Sequence, residues 1–209
     1  MADTTQTIAG VLLLAVIAGC SGTSAGPAGS PTPAAQAKAS RATPADAKFL
    51  SGMIHHHAQA IVMSEWSATH GASPQIRVLS ERIIVSQRDE IRMMQQWLRE
   101  HGEVAPEPSA KGQRMVMGGV EHNMLMAGML TEEQMAQLDR ARGNDFDRLF
   151  LEFMIQHHRG AQQMVEELFA THGGGVDDLI YKIATDTFAD QGSEIDRMQR
   201  MLDAMGAGR

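Results

Sequence analysis

Cysteine is nearly missing from this chain: its 209 residues hold one, Cys20. A disulfide framework within the chain is therefore excluded. Aromatic residues are scarce as well, at 4%, so a core must be filled by aliphatic side chains and by the sixteen methionines. An excess of positive charge is absent. The net charge is −7, and phosphate backbones are bound by positive surfaces, which argues against a nucleic-acid partner. The apolar run Val11 to Ala18 ("VLLLAVIA") is too short to span a bilayer. Catalytic signatures are lacking in the same way. No glutamate is followed by a histidine three residues later, the spacing that di-iron helical bundles use. There is no His-Glu-x-x-His, no serine or cysteine nucleophile motif and no phosphate-cradling glycine loop.

The apolar run ends in "IAGC", with small residues before Cys20, which is the shape of a secretory signal. That ending resembles the lipobox of bacterial lipoproteins, in which the cysteine becomes the lipidated first residue. Met1 to Thr7 departs from the usual pattern, carrying Asp3 and neither lysine nor arginine. Ser21 to Ser40 is mostly Ser, Gly, Ala, Pro and Thr with one lysine and shows no apolar period, so it reads as a disordered spacer. The expected organisation is a lipoprotein signal peptide over 1–20, a tether over 21–42 and a folded domain over 43–206. Localisation is then outside the cytoplasm, with Cys20 as the lipid anchor in the cell membrane.

What the chain does contain is a repetition. "FLSGMIHHHAQAIVM" starts at Phe49 and "FLEFMIQHHRGAQQM" at Phe150. "EIRMMQQWL" from Glu90 is answered by "EIDRMQRML" from Glu194, so each repeat spans a helical hairpin. Start and stop signals bracket the helices. Thr43, Pro44 and Asp46 open the first, which ends before Gly71; Ser73 and Pro74 open the second, which ends before Gly102. "TEEQ" at Thr131 is a capping box for a short helix ending at Gly143. Two further helices run from about Asn144 to the "HGGG" stretch and from about Val176 to Met205. Hairpins of this kind cannot bury their apolar faces alone. The expected fold is all-α, a ferritin-like four-helix bundle from the repeats 43–102 and 144–206, with a Met-rich crossover over 103–143. No strand pattern of useful length is apparent in it.

A helix turns about 100° per residue, so Met53, His56, His57, Ala60 and Met63 share one face about 120° wide. Met154, His157, His158, Ala161 and Met164 form the same face in the second copy. His55 points away, and Gln156 replaces it there. Thioether sulfur is a soft donor and imidazole an intermediate one, a set that suits Cu(I) and Ag(I). Met63 and Met164, at the rim of the face, are open to a packing role. In the crossover, Met115, Met117, His122, Met124, Met126 and Met129 could wrap a soft ion or pack on the helices. His70, His101 and His172 read as C-terminal caps, Glu65 and Glu166 as solvated positions, and Trp66 and Trp97 as packing residues.

The doubled "MI.HH..A..M", together with "GNDFDRLF", "M.AGMLTEEQ" and "Q..EI.RM", resembles the bacterial family described as domain of unknown function 305. The resemblance covers about Thr43 to Met205. It implies a ferritin-like helical bundle, often exported, with some members associated with copper or silver in the cell envelope. It carries the family's histidine pair and methionine to Met53, His56 and His57, and to Met154, His157 and His158. The extra His55 departs from the commoner pattern. The function expected is sequestering or transferring copper as Cu(I), with silver as the alternative ion, and no catalysis. The rivals are a redox-active metalloenzyme of ferritin-like type and a metal-free envelope module. The expected partners are the metal ion and the membrane, with a homodimer left open.

Overall fold

Thr43 sets the start of the first helix by exchanging hydrogen bonds with Asp46: its hydroxyl accepts from the Asp46 amide, and the carboxylate accepts from the Thr43 amide. A computed structural model of the chain describes residues 42–207. Its helices are α1 (Pro44–Glu65), α2 (Pro74–Glu100), α3 (Glu132–Arg140), α4 (Gly143–Ala170) and α5 (Asp178–Ala207). A 3-10 turn, Trp66–Ala68, follows α1. Ser73 caps α2 by accepting from the Ile76 amide, and Thr131 and Gln134 form the capping box of α3. The expected signal peptide and lipidated Cys20 lie outside the described residues, as does the tether apart from Ala42. Among the described residues no helix is long and apolar enough to cross a membrane.

The chain is mostly helical but not wholly so. The crossover holds two strands, β1 (Gln113–Met117) and β2 (Val120–Met124), paired antiparallel with Met115 opposite His122. This corrects the expectation of a strandless crossover. Gly118 and Gly119 both take positive φ, 61° and 81°, which a two-residue turn of the hairpin type needs and glycine supplies without strain.

α1 packs along α2 and α4 along α5, and the two pairs meet through α1 and α4. Two apolar clusters result. One gathers Leu50, Met53, Ile54, Trp97, Leu98 and Ile180; the other gathers Met63, Ile83, Phe146, Phe150, Met154 and Met198. The pairs are also cross-tied. Buried Asp46 of α1 accepts from the Gly175 amide at 2.8 Å, in the turn before α5. Buried Asp147 of α4 accepts from the Ser73 amide at 3.1 and 3.2 Å, in the turn before α2. Each carboxylate thus satisfies a turn of the other hairpin, and the two aspartates occupy matching places in the repeat.

Candidate metal centre

α1 and α4 bring their adjacent histidines together where the two helices meet. His56, His57, His157 and His158 are all fully buried. The His56 and His157 rings lie with centroids 3.7 Å apart, while His57 and His158 flank them at 6.4 and 6.3 Å from their sequence neighbours. The outer rings end on carboxylates. His57 Nε2 meets Glu90 of α2 at 2.6 Å, and His158 Nε2 meets Glu194 of α5 at 2.6 Å. Both glutamates are partly exposed, so each pair runs from the buried centre to the surface.

These contacts fix where protons sit. A carbonyl oxygen only accepts, so His56 Nε2, 3.1 Å from the Ala127 carbonyl, donates. Nε2 of His57 and of His158 faces a carboxylate oxygen, an acceptor, and so donates as well. In all three rings Nδ1 is then a bare lone pair, and in all three it is buried without a partner. His157 has no partner at either nitrogen. Its ring and that of His56 each face the other's backbone, but no hydrogen bond of normal geometry forms at His157. Burial, and next to it the neighbouring histidines, holds both His56 and His157 well below the usual imidazole range, so both are neutral. Unpartnered buried polar atoms are rare in folded proteins because each costs about 1–3 kcal/mol. Neutral His157 keeps one N–H, so the cluster presents four unpartnered lone pairs, one from each ring, a set that fits an ion.

The methionines divide. Met53 and Met154 are buried on the expected faces, one turn before their histidines, in the two apolar clusters on either side. Met63 is wholly buried among carbon neighbours, in keeping with a packing role. Met164 joins Met126 over Gly52, where a Cβ would lie 3.0 Å from the Met126 sulfur and 3.2 Å from the Met164 methyl. Met126 and Met129 pack inward, and the Met129 sulfur accepts from the Met126 amide. His122 and Met124 lie on the exposed hairpin, unlike the four buried histidines. Among the described residues no three His, Cys, Asp or Glu side chains form a ready ligand group.

His55 differs from expectation. It leaves the four-histidine cluster, as its helix angle requires, yet it is buried, because the crossover around Ser109 covers it. Burial holds its ring below the usual imidazole range. His70 is not a C-terminal cap either. Its Nε2 reaches Asp139 of α3, and its ring lies against Trp66 and Phe146. His101 does cap α2: its Nδ1 donates to the Trp97 carbonyl, 2.8 Å away. Glu90 and Glu194 were missed as site residues, although their place at the head of the repeated "EI" segments marked them. Gln87 and Gln191, buried one turn earlier with unpartnered side-chain oxygens, repeat in the same register.

Solved structures share the fold. A fragment from Deinococcus radiodurans is similar with a TM-score of 0.64 at 27% identity, over 78% of this chain and 98% of that one. CopM in its Cu(I)-bound form matches with a TM-score of 0.58 at 25% identity, over 77% of this chain and 96% of that one. CopM co-crystallised with silver matches at 0.56 and 25%, over 76% and 96%. An uncharacterized protein of Acanthamoeba polyphaga mimivirus is 45% identical over 49 residues, which is 23% of this chain and only 32% of that protein's length. The model of the domain of unknown function DUF305 matches residues 46–202, and the chain belongs to that family.

Proposed function

We propose that this chain binds a soft monovalent metal ion, Cu(I) or Ag(I), through its duplicated His/Met faces and passes it on outside the cytoplasm. The observation that carries the reading is the set of unpartnered ring nitrogens at the junction of α1 and α4. His56, His57, His157 and His158 supply nitrogen, and Met53 and Met154 supply sulfur one helical turn away. Imidazole with thioether suits a soft ion and, unlike thiolate, survives oxidising surroundings. Glu90 and Glu194 hold the outer rings with Nδ1 free and raise their basicity. The Cu(I)- and Ag-bound forms of CopM support the choice of ion. Two cross-tied hairpins meeting through α1 and α4 favour a four-helix bundle of ferritin-like kind as the frame. The "IAGC" segment supports an anchor at Cys20, and the ion is cargo, not a centre of turnover.

Titration of the full chain with silver(I), read by calorimetry and native mass spectrometry, tests this. Changing His56, His57, His157 and His158 together to alanine should abolish tight uptake, a loss of at least a hundredfold in affinity, while far-ultraviolet circular dichroism still reports the helices. Unchanged affinity in that variant sinks the reading.

A further inference from the structure

The β1–β2 hairpin carries its sulfur on one side. In an antiparallel pair, residues directly opposite share a face, and alternate residues along each strand join them. The pairing Gln113–Met124, Met115–His122 and Met117–Val120 therefore puts Met115, Met117, His122 and Met124 on the same face. Met115 stands opposite His122, with Cβ atoms about 5 Å apart in such pairs, and Met117 and Met124 are the diagonal neighbours at about 7–8 Å. The other face holds Arg114 and Glu121, which form an ion pair. Packing does not account for the methionines. Met115, Met117 and Met124 are 37%, 59% and 45% exposed, whereas Met126 and Met129 of the same crossover pack inward. Leaving three thioethers in water forgoes the burial that would repay their flexible side chains.

We infer that this face is a second, surface site for a soft monovalent cation, with the Met115, Met117 and Met124 thioethers and the His122 imidazole as ligands. Flexible sulfur arms reach about 5 Å from their Cα atoms, enough for diagonal neighbours to close on one ion beside the Met115–His122 pair. The site is open and its arms are mobile, so it exchanges its ion quickly where the buried histidines would hold theirs. Its position suits that role. Met124 also lines a cleft of about 340 Å3 with Met126 and Met164, the two methionines over Gly52, which lies one turn before His56. The inference goes beyond the buried-site reading and shares only the class of ion with it.

The test is silver(I) titration of the full chain carrying methyl-labelled methionine, followed by carbon–proton correlation spectra and native mass spectrometry. The methyl signals of Met115, Met117 and Met124 should shift together in fast exchange, and should still shift in the variant lacking the four buried histidines. The variant M115L/M117L/M124L, which keeps shape and hydrophobicity at exposed positions, should bind one silver ion fewer with an unchanged circular dichroism spectrum. Silent hairpin methyls through two added equivalents of silver overturn the inference, and so does an unchanged ion count in the leucine variant. Loss of the hairpin shifts in the four-histidine variant, with the helices intact, overturns it as well. Failure of the buried reading alone leaves those shifts in place, so the two outcomes are separable.

Discussion

The two hairpins agree where their histidines meet carboxylates and differ where they meet the crossover. His57 reaches Glu90 and His158 reaches Glu194, each at 2.6 Å, and Asp46 and Asp147 satisfy opposite turns in the same exchanged way. On the crossover side the likeness ends. His56 has the Ala127 carbonyl; its counterpart His157 has nothing. Gln59 of α1 holds the strap by donating to the Ala110 and Leu130 carbonyls and accepting from the Leu130 amide. The matching residue on α4 is Gly160, and there the strap backbone rests directly on the helix. A single connection cannot obey a twofold relation, so one histidine of the inner pair has a partner at Nε2 and the other has none.

Gly160→Ala should break this arrangement most severely. A Cβ there would lie 2.1 Å from the Ala127 oxygen and 2.4 Å from the Gly128 Cα, both backbone atoms that cannot swing aside. We expect a loss of about 3 kcal/mol in urea unfolding, at the upper end of overpacking costs. The displaced Ala127 would also release His56 Nε2. Gln59→Ala removes the other clamp, and comparing the two variants weighs a close approach against side-chain hydrogen bonds.

Acid should expose the inner pair next. In the folded state burial keeps His56 and His157 well below 6.5, whereas in the unfolded chain they titrate near that value. The unfolded chain then binds more protons below 6.5, and stability rises with pH there. The metal-free protein should show constant unfolding free energy above pH 7. Below 6.5 it should lose stability at up to about 2.7 kcal/mol per pH unit from these two rings. His157→Gln should halve that slope. A flat profile from pH 7 to 5 would mean that the inner rings are protonated in the folded protein.

The helices were legible in the sequence because their signals are local. Thr43 with Asp46 and Thr131 with Gln134 cap as their spacing requires, and Gly102 closes α2 with positive φ, whereas α1 gives way to the 3-10 turn at Trp66, ahead of Gly71. The histidine faces were legible because a fixed pitch decides which residues share a side. The hairpin was hidden by its methionines, which favour no strand, although Gly118-Gly119 between two five-residue runs was a usable turn signal. The burial of His55 was not legible at all, since its cover comes from residues near Ser109, more than fifty positions along the chain. Glu90 and Glu194 stood in plain view as a repeat, but their role depends on which side of α2 and α5 faces the histidines. That is a fact of packing between helices, beyond the reach of any single helix's period.

The carboxylate ends offer a gentler probe of the same likeness. Glu90→Gln and Glu194→Gln each keep an acceptor for the outer histidine but remove the charge that makes its ring a better donor to a metal. Each should weaken silver(I) binding by about tenfold, near 1.4 kcal/mol, the low end for a residue that supports a ligand. Equal losses would show that the hairpins contribute alike; a loss confined to one would assign the ion to that side.

The smallest effect separates the hairpins at their surface. Glu65 and Glu166 match in the repeat, but only Glu65 has a cation across from it, Arg88 at 2.6 Å. The repeat places Gly192 where Arg88 stands, and no ion pair forms at Glu166 among the described residues. Both partners of the Arg88–Glu65 pair are about half exposed, so water and salt screen their attraction. Arg88→Ala should therefore cost no more than about 0.5 kcal/mol, a difference that fades in 0.5 M salt. It should also leave silver(I) affinity untouched. A larger or salt-resistant loss would show that the first hairpin leans on its surface pair, and that the two copies are less alike in stability than their buried centres imply.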